Sequence, residues 1–166
     1  MESTIAAGAP PAARTAHALR FILLGGAVAA TCDITYAVAY SAWRGVAPMR
    51  VLQSVASGLL GRPAFEGGVP TAALGLALHY AICIAAAGVF WAAARRLPAL
   101  VARPVAMGAL FGLAVYGVMN HVVLPLSAFP FTPHPAALTV ATGLFVHMFG
   151  VGVPIALATR RGQRGA

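Results

Sequence analysis

Charged side chains are scarce in this chain of 166 residues, and lysine is absent altogether. Only 8% of the residues are charged, whereas soluble domains carry roughly 25%. Hydrophobic residues make up 60% of the chain, and the mean hydropathy is +0.85. This composition excludes an ordinary soluble domain and predicts a membrane protein.

Carboxylates and cysteines are also scarce in this chain. The acidic residues are Glu2, Asp33 and Glu66, which leaves hydrolytic or phosphoryl-transfer chemistry little to work with. The sequence also contains no glycine-rich phosphate loop and no nucleophile elbow, so we expect no enzyme. The two cysteines, Cys32 and Cys83, lie in apolar segments at a spacing that suits neither a disulfide framework nor a CxxC zinc site.

All 11 basic residues are arginines, and they give a net charge of +8. They flank apolar runs and form no basic face with interleaved aromatics, so we expect no nucleic acid partner. By the positive-inside rule, the side with more arginines is cytoplasmic. We therefore predict a multi-pass protein of a bacterial inner membrane with both termini in the cytoplasm. The cytoplasmic side holds Arg14, Arg20, Arg95, Arg96, Arg103, Arg160, Arg161 and Arg164, and the other side holds Arg44, Arg50 and Arg62.

Four segments are long and apolar enough to cross a bilayer, which needs about 20 apolar residues. They cover residues 20–41, 70–94, 104–126 and 135–159, within a single domain of residues 17–161. The first could instead be a signal peptide ending at "AVA", but Asp33 interrupts it and favours an uncleaved helix. Residues 1–16 contain "AAGAPPAA" and are predicted to be disordered.

The connection between the first two spans contains an amphipathic pattern. Apolar Val51, Leu52, Val55 and Leu59 recur at helical spacing, with Arg50, Gln53, Ser54 and Ser57 between them. Gly61 and Pro63 stop the pattern, so we predict a surface helix over residues 49–61 that lies at the membrane interface. Pro154 falls within the last span and predicts a kink there.

Each span carries small residues on one helix face and polar residues further along the same face. Small residues let helices approach closely in lipid, so the polar residues should face one another inside the bundle. The fold predicted is all-α, a four-helix transmembrane bundle with one amphipathic interfacial helix. The packing residues are Gly25, Gly75, Gly108, Gly112 and Gly143, and the polar cluster is Asp33, His79, Asn120, His121 and His147.

The role of this cluster has several interpretations. The polar groups either hold the helices together by hydrogen bonds or form a proton pathway, ion pathway or pH-sensitive gate, as in a small transporter. The repeat of "GLALH" (75–79) in "GLFVH" (143–147) suggests a duplication, in which His79 and His147 would ligate haem b. A metal ion at Asp33, His79, Cys83 and His147 is the other cofactor hypothesis.

Residues 75–161 resemble the YagU-like family of bacterial inner-membrane proteins. The matching features are His79 in an apolar span, His121 followed by "VVLPL", the proline-rich "FPFTPHP", and a last span with His147 that ends in arginines. The resemblance implies an inner-membrane location and a role in acid stress, and no catalytic residue. The expected partners are the lipid bilayer and a second copy or a larger membrane complex, with Gly108 and Gly112 as a contact face if the bundle does not use them.

Overall fold

The computed structural model describes residues 10–132 and 136–164, and every regular element within these ranges is helical. The all-α prediction is therefore confirmed. The helices are α1 (Pro11–Trp43), α2 (Pro48–Leu60), α3 (Gly68–Ala94), the single turn α4 (Ala99–Ala102), α5 (Pro104–Leu126) and α6 (Ala137–Arg164). A 3₁₀ turn, Arg62–Phe65, follows α2.

Helices α1, α3, α5 and α6 are each long and apolar enough to cross a membrane. Large apolar side chains on all four point away from the bundle, among them Leu24, Val89, Leu110 and Phe145, which are 51%, 63%, 57% and 62% exposed. Such surfaces are stable against lipid and unfavourable against water. The predicted four-helix membrane bundle is confirmed on this evidence.

The helix ends differ from the prediction at both termini. Helix α1 begins at Pro11, so residues 11–16, predicted to be disordered, are helical. Helix α6 runs on to Arg164, five residues beyond the predicted end at 159. The two extensions meet, because the His17 ring nitrogen Nε2 lies 2.9 Å from the carbonyl oxygen of Gly162. Residues 1–9 and the predicted helix start at Pro135 lie outside the described residues.

The end of the bundle where α1 starts and α6 ends is called the arginine end, and its core is tightly packed. Phe90 of α3 and Phe111 of α5 meet edge to face with their ring centroids 4.9 Å apart. Small side chains fill the space around them, since Ala29 and Ala156 are fully buried. The opposite end, called the α2 end, carries α2 and the connection between α5 and α6.

Helix α2 is amphipathic and packs across the N-terminal part of α3. Its buried residues are Gln53, Ala56 and Ser57, whereas Leu59 is 62% exposed. The sequence pattern implied the reverse, with Gln53 and Ser57 on the solvated face. The physical reason lies in the start of α3: the Gln53 amide donates hydrogen bonds to the Gly68 carbonyl and the Thr71 hydroxyl, so the polar face is satisfied inside the protein.

Candidate functional site

The centre of the bundle holds one carboxylate between two imidazoles, each from a different helix. Asp33 of α1 places Oδ2 3.8 Å from His79 Nε2 of α3 and Oδ1 3.5 Å from His147 Nδ1 of α6. Their side chains are between 12% and 19% exposed. These three residues are called the Asp33 triad. Asp33 lies ten residues before the end of α1, about 15 Å along the helix, which suits the middle of a ~30 Å hydrocarbon core.

The hydrogen bonds of the two histidines fix where their protons lie. His79 Nε2 is 3.1 Å from the Ala30 carbonyl oxygen, and His147 Nδ1 is 3.0 Å from the Gly143 carbonyl oxygen. A carbonyl only accepts, so each of these nitrogens carries a hydrogen and donates it. The same nitrogens face Asp33, and their contacts with it become ion pairs when the imidazoles are protonated.

Two π-helical turns line the space beside the triad. One covers Met119–Val123 of α5 and the other His147–Gly152 of α6. In each, the N–H that closes the turn belongs to the residue just before a proline: Leu124 bonds the Met119 carbonyl, and Val153 bonds the Met148 carbonyl. Proline supplies no N–H, and the wider turn adjusts the hydrogen bonding around that gap. The sequence predicted a kink at Pro154, and the structure has this π turn directly before it.

A cavity of about 430 Å³ opens beside the Asp33 triad and extends towards the α2 end. Its walls are mostly apolar and come from α1, α2, α3, α5 and α6, together with the segment after α5. The triad forms its principal polar group. The lining residues used below are Asp33, Ser54, Leu59, His79, Ile82, Cys83, Met119, Val123, Ser127, His147 and Val151.

Asn120 and His121, also predicted for the cluster, do not line this cavity. The Asn120 amide donates a hydrogen bond of 2.9 Å to the Tyr116 carbonyl of its own helix. His121 is exposed, as expected for the next residue about 100° further round the helix. The structure thus brings together three of the five predicted polar residues.

The haem and metal hypotheses stay predictions. The nitrogens that face Asp33 carry protons, so the lone pair of each ring lies on its other nitrogen. Cys83 Sγ is 4.0 Å from His79 Nε2. Within residues 10–132 and 136–164, no group of three or more His, Cys, Asp or Glu side chains is arranged to hold a metal ion.

The predicted packing glycines lie at contacts between helices, and at Gly75, Gly108 and Gly112 the contact is with the backbone of the neighbouring helix. A methyl group at Gly112 would overlap the His147 carbonyl oxygen at the start of the π turn in α6, and one at Gly75 would overlap the Leu52 carbonyl of α2. Gly108 faces Gly152 in the same way. Gly25 faces Ala158, and Gly143 faces Tyr116. Since Gly108 and Gly112 pack against α6, they are used within the bundle and offer no free face to a partner.

Three features of the site were missed at the level of sequence. Tyr116 stacks edge to face on the His147 ring with centroids 5.1 Å apart, and it covers Gly143. Gly152 completes the contact with α5. The π turns were the third, and their sequence signal is a Leu-Pro or Val-Pro pair a few residues after a histidine in an apolar span.

The fold and the site together define a multi-pass α-helical membrane protein with a polar triad inside the bundle. No protein-family model, curated protein or solved structure matches this chain. The resemblance of residues 75–161 to the YagU-like family therefore stays a prediction.

Proposed function

We propose that this chain is a multi-pass protein of a bacterial inner membrane that responds to proton concentration through the Asp33 triad. The observation that carries the proposal is a single carboxylate contacted by imidazoles from two other helices. Imidazole is the side chain whose charge changes between about pH 5 and pH 8. A charged residue at the bilayer centre costs at least about 2.5 kcal/mol, so a retained Asp33 needs a partner or a role.

Protonation would change how strongly three helices are held together. With neutral imidazoles, α1 is joined to α3 at this depth by the hydrogen bond from His79 to the Ala30 carbonyl, and to α6 by the weak polar contact between Asp33 and His147, whose own hydrogen bond stays within α6. With protonated imidazoles, the two contacts with Asp33 become ion pairs in a setting of low dielectric constant, where their attraction is stronger than in water. The resemblance to a family associated with acid stress points the same way, towards a protein that senses low pH.

The groups around the triad favour this interpretation. On α3, Cys83 lies beside His79. On α5, the Tyr116 ring contacts His147, and α2 contributes Ser54 to the cavity but no charged side chain. No arginine is among the cavity-lining residues in the described part of the chain. The charge of the site is therefore set by Asp33 and the two imidazoles.

The test compares the thermal stability of purified wild-type protein and Asp33→Asn between about pH 8 and about pH 5.5, across the titration range of imidazole. The melting-temperature advantage of the wild type should grow as the pH falls, because only protonated imidazoles form ion pairs with Asp33. His121→Gln is the matched control, since His121 is exposed and outside the triad, and it should behave as wild type. An advantage that stays constant with pH would leave the triad with a packing role only.

A cellular readout connects this site to acid stress. In cells that depend on the protein, Asp33→Asn and His147→Ala should lower survival at low pH while His121→Gln does not. Immunoblotting of the membrane fraction checks that the variants are equally abundant. Unchanged survival for both triad variants at normal abundance would contradict the proposed role.

A further inference from the structure

The cavity beside the Asp33 triad presents hydrogen-bond acceptors, and its imidazole and hydroxyl donors are already used within the protein. The protons of neutral His79 and His147 are already given to the Ala30 and Gly143 carbonyls. What remains on each ring is a lone pair, and an ionised carboxylate accepts only. The hydroxyl of Ser127 donates to the Leu124 carbonyl, so it is committed as well.

The charge of the cavity favours the same kind of ligand group. With neutral imidazoles, the only formal charge among the described lining residues is the negative charge of Asp33. An ion that is removed from water needs a partner of opposite sign, and the cavity contains no arginine to supply it. A ligand group that is cationic and rich in N–H donors satisfies both the charge and the acceptors.

The mouth of the cavity indicates where such a ligand comes from. Leu59 of α2 and Val123 of α5 line the cavity and are also 62% and 39% exposed. Ile82 of α3 is a third lining residue with an exposed face, at 37%. An apolar rim on a membrane-spanning bundle opens towards lipid, so a molecule dissolved in the bilayer reaches the cavity more easily than one dissolved in water.

We propose that this cavity binds a lipophilic amine, with its ammonium group at Asp33 and its apolar body along Ile82, Met119 and Val151. The volume of about 430 Å³ lies in the range of sites for small organic molecules. Both π turns contribute lining residues, and such turns occur frequently at functional sites. The inference rests on the proposed function in one respect: protonation of His79 and His147 supplies competing positive charges to Asp33, so the amine is released as the pH falls.

The experiment uses the full-length chain in nanodiscs of phosphatidylcholine, a lipid without a primary amine. Decylamine, decanol and decanoic acid are compared, because they share an alkyl chain and differ only in the terminal group. The first readout is thermal stability. The second is the rate at which N-ethylmaleimide alkylates Cys83, with the exposed Cys32 as the internal reference.

Decylamine should raise the melting temperature and protect Cys83, whereas decanol and decanoic acid should do neither. At about ten times its dissociation constant, bound amine leaves about one site in eleven free, so the alkylation rate of Cys83 should fall about tenfold. Both effects should be lost in Asp33→Asn and should weaken between pH 8 and pH 5.5. Equal protection by decanol, or undiminished protection in Asp33→Asn, would overturn the proposal.

A second variant keeps the test decisive if Asp33→Asn folds poorly. Ile82→Trp fills the cavity from its partly exposed wall and leaves the triad intact, so it should lose decylamine protection while keeping the pH-dependent stability of the wild type. Protection that persists in a folded Ile82→Trp protein would also count against the cavity. Nanodiscs that contain phosphatidylethanolamine identify the source of the amine: Asp33-dependent protection by that lipid alone assigns the site to a headgroup, and its absence assigns it to a free amine.

The amine test and the pH test fail independently. If wild-type stability depends on pH through Asp33 but decylamine has no specific effect, the binding inference fails and the proposed function stands. If decylamine binds through Asp33 but ligand-free stability does not depend on pH, the proton-responsive role fails and the binding inference stands.

Discussion

At the scale of single residues, a polar side chain inside the bundle is either held by its own helix or shared between helices. Asn120 belongs to the first kind, because its amide donates to Tyr116 in the preceding turn. Asp33 belongs to the second kind, since its carboxylate contacts His79 and His147 across two helix boundaries. Only the second kind couples protonation to the arrangement of helices.

The spacing of four residues placed Asp33, His79 and His147 on inward faces, and the structure brings these three side chains together. Each stands one or two helical turns from a glycine that packs against another helix, so its face points inward. The same rule placed Asn120 in the cluster, with His121 added as its neighbour, and neither residue lines the cavity beside the triad. A spacing of four residues defines a face of one helix. It carries no information about hydrogen bonds within that helix or about the rotation of the helix against its neighbours.

Replacing His79 by alanine should destabilise the protein more than replacing His121. The His79 variant leaves the Ala30 carbonyl without its donor and removes one of the two imidazole contacts of Asp33. Hydrogen bonds between membrane helices are worth about 0.6 kcal/mol on average and up to about 1.7 kcal/mol, so a loss of about 1 kcal/mol is expected. Unfolding in increasing mole fractions of SDS measures it. His121→Ala should lie within about 0.5 kcal/mol of wild type, and equal losses for the two variants would contradict the shared role of His79.

At the scale of secondary structure elements, the positions of prolines and glycines account for most of the helix ends that could be predicted. Pro104 begins α5 as predicted, and Pro48 begins α2 one residue before the predicted start, because the first turn of a helix needs no N–H from proline. Gly61 ends α2 with a φ of 67°, a conformation that favours glycine. Pro125 and Pro154 lie inside helices instead, and a π turn ends two residues before each of them.

The contact between α5 and the π turn of α6 offers a test at this scale. A methyl group at Gly112 would overlap the His147 carbonyl oxygen, whereas one at Gly117 would meet nothing within 4 Å. Gly112→Ala should therefore cost about 1–3 kcal/mol through overpacking. Gly117→Ala, in the same helix, should be neutral or slightly stabilising because alanine favours helix. SDS unfolding of both variants provides the comparison, and a Gly112→Ala protein as stable as Gly117→Ala would mean that α5 and α6 are not in backbone contact.

At the scale of the whole molecule, composition was sufficient for the class of fold and insufficient for its interior. The four apolar runs predicted the four long helices because each is long enough to cross a bilayer as a helix, which satisfies its own backbone within lipid. The side of α2 that packs against α3 was not predictable in the same way, because an amphipathic pattern does not show which face of a helix packs against the protein. Gln53 and Ser57 are polar and nevertheless buried, since the start of α3 supplies hydrogen-bond partners for Gln53.

The orientation of the bundle follows from its arginines and is the last prediction. An even number of crossings puts both termini on one side, and the eight arginines at that end against three at the α2 end favour the cytoplasm. After Cys32 and Cys83 are replaced by serine, single cysteines are introduced at Val46 in the connection of the α2 end and at Leu97 in the loop of the arginine end, both of which are exposed, at 43% and 57%. In cells with a permeabilised outer membrane, a membrane-impermeant maleimide should label Val46→Cys and should label Leu97→Cys only after lysis. The reverse pattern would place the arginine end outside, against the charge bias, and would require the Asp33 triad to sense protons from the opposite side.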